Sequence, residues 1–340
     1  MKKTISILVC LLFLAGCAGT ASNTADNSPV VIDGAGTAHP VPENREAVKI
    51  ASAYAVSVPF IAALELDDRV LAINVKSRFW TETVEGLADA GSVGRGVVDL
   101  EALAEFTPDV LIHRSNDTAT VEAVTVKLGI PVFCITVEDY DDIIYTLIIM
   151  GDYFGVEQRA KEVCEWLTEK FGIIDDIVMK IPEARRVTAL VMGGEPFRVA
   201  GSDMLQSWMV EKAGGISVVD TTNNRNWADI GVETVFRLDP DFIFCTSSTA
   251  LNYSVEHLLT DSAWSAMTAV VNKNIYVIPA MIDSWDLPGI NAALGTMYML
   301  NKMYPEFFTL EELQHEIDDY YLFMFGKTFD SMYLGYDLEQ

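Results

Sequence analysis

Short apolar runs and helical apolar periods take turns along most of the chain. Val48–Ala53, Val70–Val75, Val110–His113 and Val132–Ile135 have strand length, and the stretches between them carry apolar residues every three or four positions. After residue 186 the alternation begins again with Val187–Met192, Asp241–Cys245 and Ile275–Ile278. Alternation of this kind predicts an α/β fold with parallel sheets built from β-α-β units. Between the two sets, Val156, Ala160, Val163, Leu167, Phe171, Ile174, Val178 and Ile181 recur at helical spacing until Pro182 stops them. A helix over that span would be roughly 40 Å long at 1.5 Å per residue, enough to brace two lobes against each other.

The two sets also resemble each other. Residues 100–112 read LEALAEFTPDVLI and residues 232–244 read VETVFRLDPDFIF, so that Glu101 aligns with Glu233, Pro108 with Pro240 and Asp109 with Asp241 at one constant offset. Helix-turn-strand units look alike in general, but an ungapped match of these residue types argues for an internal duplication. The expected organisation is a leader over 1–17, a flexible tether over 18–46, an N-terminal α/β lobe over 47–155, a connecting helix over 156–182 and a C-terminal α/β lobe over 183–325. Residues 326–340 form an extension to which the sequence assigns no role.

The leader is read from its order of residue types. Lys2 and Lys3 precede an apolar run from Ile5 to Leu14, which ends in Leu14-Ala15-Gly16-Cys17. Ten residues are too few to span a bilayer, where about twenty are needed, and the order matches a signal peptide. The ending resembles a lipobox, which implies that Cys17 is acylated and becomes the mature N-terminus; ordinary secretion with an incidental Cys17 is the alternative. Residues 18–46 are rich in Ala, Ser, Thr, Asn, Gly and Pro without an apolar period, the composition of a tether.

Charge and chemistry narrow the function. A net charge of −26 argues against nucleic-acid binding and against contact with an anionic lipid surface. Cys134, Cys164 and Cys245 lie in apolar surroundings without a Cys-x-x-Cys, as expected of buried free thiols. His39, His113, His257 and His315 share no local ligand spacing, so no metal site and no cofactor is expected. His113, at a strand end, could serve as an axial ligand to a chelated metal, although a satisfied strand-end histidine fits as well. Gly193-Gly194 follows a strand, but no dinucleotide fingerprint, phosphate loop or Gly-x-Ser-x-Gly elbow is present. Gly214-Gly215 reads as a helix end.

Several segments resemble those of ABC-transporter periplasmic binding proteins of the siderophore, haem and cobalamin type. These are Leu64–Val70, Asp99–Leu103 with Thr107–Ile112, Trp264–Val270 with Lys273–Pro279, and Trp285–Gly289 with Tyr304–Glu306. Their order and spacing, over about residues 48–308, carry the resemblance. It implies two Rossmann-like α/β lobes joined by a single long α-helix, with the ligand in the cleft between them. It also implies a monomeric receptor, not an enzyme, that delivers an iron–siderophore complex, haem or corrinoid to an ABC permease. A receptor for an oxyanion or free metal ion, a surface-anchored enzyme handling a metal cofactor, and an adhesive lipoprotein are the alternatives.

Candidate site residues follow from both lines. In the resembled family one glutamate per lobe docks onto permease arginines, which assigns Glu101 and Glu233; each would occupy the second helical position if Asp99 and Gly231 are caps, where a carboxylate also favours the helix dipole. Open α/β sheets bind ligands beyond the carboxyl ends of their strands. Residues placed there are Tyr54, Arg78, Trp80 and Arg95 in the first lobe and Phe197, Arg198, Arg225, Trp227 and Trp285 in the second. Arginine forks suit carboxylates and phenolates, and aromatic faces suit flat ligands.

Overall fold

In the computed structural model, which describes residues 29–219, 226–247, 249–280 and 284–329, two parallel sheets lie on either side of one helix. The first lobe opens with a hairpin of β1 (Val30–Ile32) and β2 (Ala38–Pro40). It continues with β3 (Ile50–Ser52), α1 (Ser57–Ala63), β4 (Val70–Ile73), α2 (Arg78–Thr83), β5 (Gly91–Ser92), α3 (Leu100–Phe106), β6 (Val110–Arg114), α4 (Thr118–Leu128), β7 (Val132–Ile135) and α5 (Tyr140–Phe154). The sheet order is β5-β4-β3-β6-β7, parallel throughout. Helix α6 (Glu157–Val178) leads to the second lobe. There follow β8 (Thr188–Met192), β9 (Arg198–Val199), α7 (Leu205–Lys212), β10 (Ile216–Ser217), β11 (Ala228–Asp229), α8 (Val232–Leu238), β12 (Phe242–Cys245), α9 (Val255–Thr260), α10 (Thr268–Val271), β13 (Ile275–Val277), α11 (Ala292–Met303) and α12 (Leu310–Phe325). Strands β10, β8, β12 and β13 pair in parallel, whereas β9 is antiparallel to both β8 and β11. Strands β7 and β12 are buried at every position because helices cover both faces of each sheet, which is why they read as unbroken apolar runs.

The duplication extends to the backbone. Helices α3 and α8 both end in a left-handed residue, Thr107 (φ 47°) and Asp239 (φ 39°), each followed by proline. The aspartate after the proline then fastens the start of the neighbouring strand. Asp109 Oδ2 accepts from the Lys49 amide at 2.7 Å, and Asp241 Oδ2 accepts from the Thr188 amide at 2.8 Å. Pro-Asp is therefore a structural staple in each lobe, and its positions set where the following strand begins.

The expected tether ends earlier than its composition indicated. From Pro29 onward the chain is part of the first lobe, and His39 is not solvated but buried. Asp33 Oδ2 accepts from the Cys134 amide and from His39 Nε2, both at 2.9 Å, while Oδ1 accepts from the amides of Ala35 and Thr37. The His39 ring lies 5.2 Å from Phe133 and 6.0 Å from Tyr153. A hairpin held by one buried carboxylate leaves no apolar period to detect. The leader with Cys17, and residues 18–28, lie outside the described residues.

Helix α6 is 22 residues long, or about 33 Å, and not the 40 Å read from the sequence, because Met179–Ile181 form a closing turn before Pro182. It does not stand alone. Helix α12 runs antiparallel along it, with Glu316 and Asp319 at Lys170 and Phe323 at Trp166 and Arg159. The buried Lys170 ammonium lies 2.7 Å from Glu316 and 2.8 Å from Asp319. Trp166 Nε1 donates to Asp319 at 3.0 Å, and its ring stacks on Phe323 at 5.3 Å with 6° between planes. The Arg159 guanidinium lies 4.7 Å from the centroid of the Phe323 ring and donates to the Ala63 carbonyl at 2.8 Å. Cys134 and Cys245 are buried free thiols as expected, whereas Cys164, on α6, is only half-buried; burial pushes Cys134 and Cys245 up to about 12 and Cys164 up to about 11.

Burial alone would pull the Lys170 pKa down, but the hydrogen bonds it donates to Asp319 and Glu316 outweigh this and hold the ammonium above its ordinary value. Asp319 is held below its ordinary value of 3.8, since Lys170 and Trp166 outweigh its own desolvation. The lysine contribution is thus complete below its unfolded pKa of 10.5 and lost as pH rises through the folded one. The Asp319 contribution is complete above 3.8 and lost as pH falls through its depressed folded value. Lys170→Met strands a buried carboxylate and should lower stability by about 3–5 kcal/mol in urea unfolding at pH 7. The difference from the parent should shrink below about pH 3, where the carboxylates are protonated; equal stability at pH 7 would show that the clamp carries no weight.

Candidate functional site

The first wall of the candidate site is built at the carboxyl ends of β4 and β5. Asn74 ends β4 and is buried; its side-chain oxygen accepts from the Lys76 amide at 2.9 Å, and its nitrogen donates to the Ala53 carbonyl at 3.1 Å. This fixes the turn that carries Lys76 and Arg78 outward. The loop after β5 is tied alongside, because the Val75 amide donates to the Gly94 carbonyl at 3.1 Å. Gly94 has φ +114°, and a Cβ there would lie 2.1 Å from the Val97 carbonyl, so only glycine permits the loop to turn back with Arg95 at its tip. Lys76 Nζ reaches to 4.0 Å from where a Gly96 Cβ would stand. Lys76, Arg78 and Arg95 are all exposed, and Arg78 borders a cavity of about 220 Å³ that is also lined by Ile73, Val75, Thr81, Ala90 and Ser92. Arg78 Nε donates to Glu82 at 2.8 Å, an exposed i,i+4 pair of the kind worth little in water.

Beside this wall, half-buried Tyr54 follows β3. Burial, and secondarily the negative charge of Glu138, push its phenol up to about 12, with the Arg114 guanidinium acting in the opposite sense. Tyr54 is therefore protonated at ordinary pH and can both donate and accept a hydrogen bond.

The second wall lies beyond β8 and β12. Trp227, half-buried, rests its indole on the Gly193 backbone: a Cβ at Gly193 would stand 3.0 and 3.2 Å from two indole carbons. Tyr253 Oη donates to the Gly193 carbonyl at 2.8 Å, and a Cβ at Gly194 would meet the Ala250 carbonyl at 2.8 Å. The Gly-Gly pair thus serves close packing. Behind β12 sits Asp286, completely buried. Its carboxylate accepts from the hydroxyls of Thr246 and Ser284, and from Ser247 at 3.4 Å, while Ser247 and Ser284 lie 2.8 Å apart. Burial raises the Asp286 pKa despite these hydrogen bonds. Ser247 is half-buried and is the outermost member of this network.

Several sequence assignments fall elsewhere. Trp80 and Trp285 are 3% and 1% exposed, so neither indole offers a face to a ligand. Both are core residues, since a strand-following tryptophan packs onto whatever covers it, and here that is α12. Phe197 has a left-handed backbone (φ 67°) and stacks on Trp264 at 4.8 Å with 7° between planes, which occupies one ring face inside the second lobe. Arg198 faces Asp229 at 3.5 Å across the β9–β11 pair. Arg225 lies outside the described residues. Tyr54, Arg78, Arg95 and Trp227 remain at the carboxyl edges. His113 is buried with Nε2 3.1 Å from Asp117, the cap of α4, and burial lowers its pKa against the pull of that carboxylate; it is a neutral structural histidine. Asn74, Lys76, Ser92, Ser247 and Asp286 were missed. For Lys76 the signal was available, as it stands between a strand end and Arg78; for Asp286 none was, because its partners come from two separate loops.

Glu101 and Glu233 are exposed and occupy the second position of α3 and α8. Asp99 caps α3, accepting from the amides of Glu101 and Ala102 at 3.0 and 3.1 Å; Gly231, at φ 71°, begins α8 without a side-chain cap. Among the described residues no group of three or more His, Cys, Asp or Glu could hold a metal ion, and no helix is long and apolar enough to cross a membrane.

A family model described as periplasmic binding protein matches residues 50–281. The molybdate-binding protein MolA of Haemophilus influenzae is 22% identical over 261 residues, covering 70% of this chain and 72% of that one. The solved structure of MolA bound to molybdate has a TM-score of 0.75 at 17% identity, covering 89% of this chain and 99% of the other. Ni(II)-bound CeuE of Helicobacter pylori gives 0.73 at 18% identity, covering 90% and 99%. A periplasmic solute binding protein of Veillonella parvula gives 0.74 at 19%, covering 90% and 95%. At such identities the structural likeness is one of fold: two α/β lobes joined by a long helix.

Proposed function

Because the chain belongs to the periplasmic binding protein family, and so is the extracytoplasmic substrate-binding component of an ABC importer, we propose that its cargo is an anionic metal chelate: an iron–siderophore complex, a haem or a corrinoid. The observation that carries this reading is the trio Lys76, Arg78 and Arg95 at one strand edge of a chain with net charge −26. Among the described residues no carboxylate pairs with Lys76 or Arg95. Cations gathered on one rim of an otherwise acidic body attract a guest of net negative charge. The cavity beside Arg78 is lined largely by apolar atoms, and half-buried Tyr54 and Trp227 at the strand edges add aromatic surface. That combination fits a ligand with bulk as well as charge.

A small oxyanion is the second reading, and the likeness to a molybdate-binding protein favours it. A small tetrahedral anion is best held by convergent buried donors, whereas the three cations here are exposed and spread over two loops. A panel of ferric siderophores, haemin, cobalamin and molybdate, titrated by calorimetry and by Trp227 emission against a Trp227→Phe control, separates the two. Saturable binding of a chelate, weakened at least tenfold by Lys76→Gln with Arg95→Gln, supports the first. Tight binding of molybdate alone overturns it.

Glu101 and Glu233 are proposed as the permease contacts, because the duplication places one exposed carboxylate at the same helical position in each lobe. Two separated charges fix orientation as well as position on a partner. Glu101→Lys with Glu233→Lys should abolish ligand-stimulated ATP hydrolysis by the reconstituted importer while ligand affinity stays within twofold; undiminished stimulation would refute the assignment.

A monomeric body anchored by lipid at Cys17 completes the proposal, resting on the charge, apolar run and small residues that precede that cysteine. Cys17→Ser should move the protein from the membrane fraction to the soluble extracytoplasmic fraction, and retention in the membrane would refute lipid anchoring.

A further inference from the structure

We propose that Tyr321 and Phe325 of α12 form an aromatic bridge that holds the two walls of the site at a fixed separation, with Trp80 and Trp285 as its two abutments. The proposal concerns the frame of the site and does not depend on which ligand occupies it.

The bridge can be followed ring by ring. On the side of the second lobe, Trp285 stands between Ser284 and Asp286, the two residues that hold Ser247 in place. Its indole N–H donates to Tyr321 Oη at 3.2 Å, and its ring meets Tyr298 of α11 edge-on at 6.3 Å. The Trp285 backbone is itself seated on α11, since a Cβ on Gly295 would come within 2.2 Å of the Trp285 carbonyl. Tyr321 then stacks on Phe325, one helical turn later, at 5.8 Å and 26°. Phe325 stacks on Trp80 of α2 at 5.6 Å and 27°. Phe329 closes the cluster, 5.1 Å from Tyr321 and 5.8 Å from Phe325. Trp80 is two residues from Arg78, in the same short helix.

Four rings therefore connect the segment that carries Arg78 with the segment that fixes Ser247, by a route that does not pass through the backbone of α6. Packed rings have discrete arrangements and are not continuously deformable, so relative movement of the walls is opposed by the Trp80–Phe325 stack and the Trp285–Tyr321 hydrogen bond. Helix α12 is in turn held to α6 at Lys170, which makes it a second strut beside the covalent one. Ordinary core packing at the end of a helix needs stacking on one lobe only. The distinguishing observation is that this cluster has one foot in each. Trp80, Trp285, Tyr321 and Phe325 are on this view positioning residues.

The test needs no ligand. Spin labels at Val126→Cys in α4 and Val271→Cys in α10, positions 76% and 64% exposed, report the distance between lobes by double electron–electron resonance in a Cys164→Ala background. Cys134 and Cys245 are buried and stay unlabelled, and Cys10 and Cys17 are replaced by serine in the same background. The parent should give one narrow distribution. Phe325→Ala should at least double its width, and Tyr321→Phe, which removes only the hydroxyl bound to Trp285, should broaden it or add a second distance. An unchanged distribution in both variants, with cooperative thermal unfolding retained, overturns the bridge. If Phe325→Ala fails to fold, Tyr321→Phe decides alone, and an unchanged width in it overturns the proposal.

Discussion

A buried lysine held between two carboxylates on a neighbouring helix is the interaction from which the rest of the architecture follows. Lys170 lies midway along α6, and its ammonium is satisfied by Glu316 and Asp319 of α12. An unpaired ammonium in that position would be costly to bury, so α12 can lie along α6 only in the register that supplies both acids. Once that register is set, Phe323 falls on Trp166 and Arg159, and the end of α12 is delivered to the first lobe. The second lobe is thereby joined to the first through its own last helix as well as through the covalent helix.

With the lobes so placed, the carboxyl edges of the two sheets supply the two walls of the proposed site, and the walls differ in chemistry. The first presents exposed cations, Lys76, Arg78 and Arg95, raised on turns that Asn74 and Gly94 hold in place. The second presents the Trp227 indole and a set of hydroxyls whose inward hydrogen bonds end on Asp286. Each wall is rigid for a local reason, and in each the group that faces outward is positioned by one that is buried.

Duplication accounts for the symmetry of the outer surface. The same left-handed residue, proline and aspartate close α3 and α8, and the aspartate in each case fastens the start of a central strand. The exposed glutamates near the start of each helix, Glu101 and Glu233, inherit matching positions from that shared geometry.

How much of this was legible in the chain depends on the range of the physics involved. Strands buried on both faces must be apolar along their length, so β6, β7, β8, β12 and β13 were readable within a residue or two, as was the start of α6, whose end falls four residues before the position read from the sequence. The Pro-Asp staple and the glycine turns are local and were equally visible as repeated letters. What the sequence could not decide was where tryptophans go. Trp80, Trp227 and Trp285 all follow strands, yet only Trp227 keeps a face toward the site, because α12 returns from the far end of the chain to cover the other two. The β1–β2 hairpin was hidden for a related reason, its stability residing in one carboxylate that reaches the β7 backbone across about a hundred residues of chain. Local propensity and burial pattern are written in neighbouring residues; burial of a particular side chain by a distant helix is decided only when the whole chain has packed.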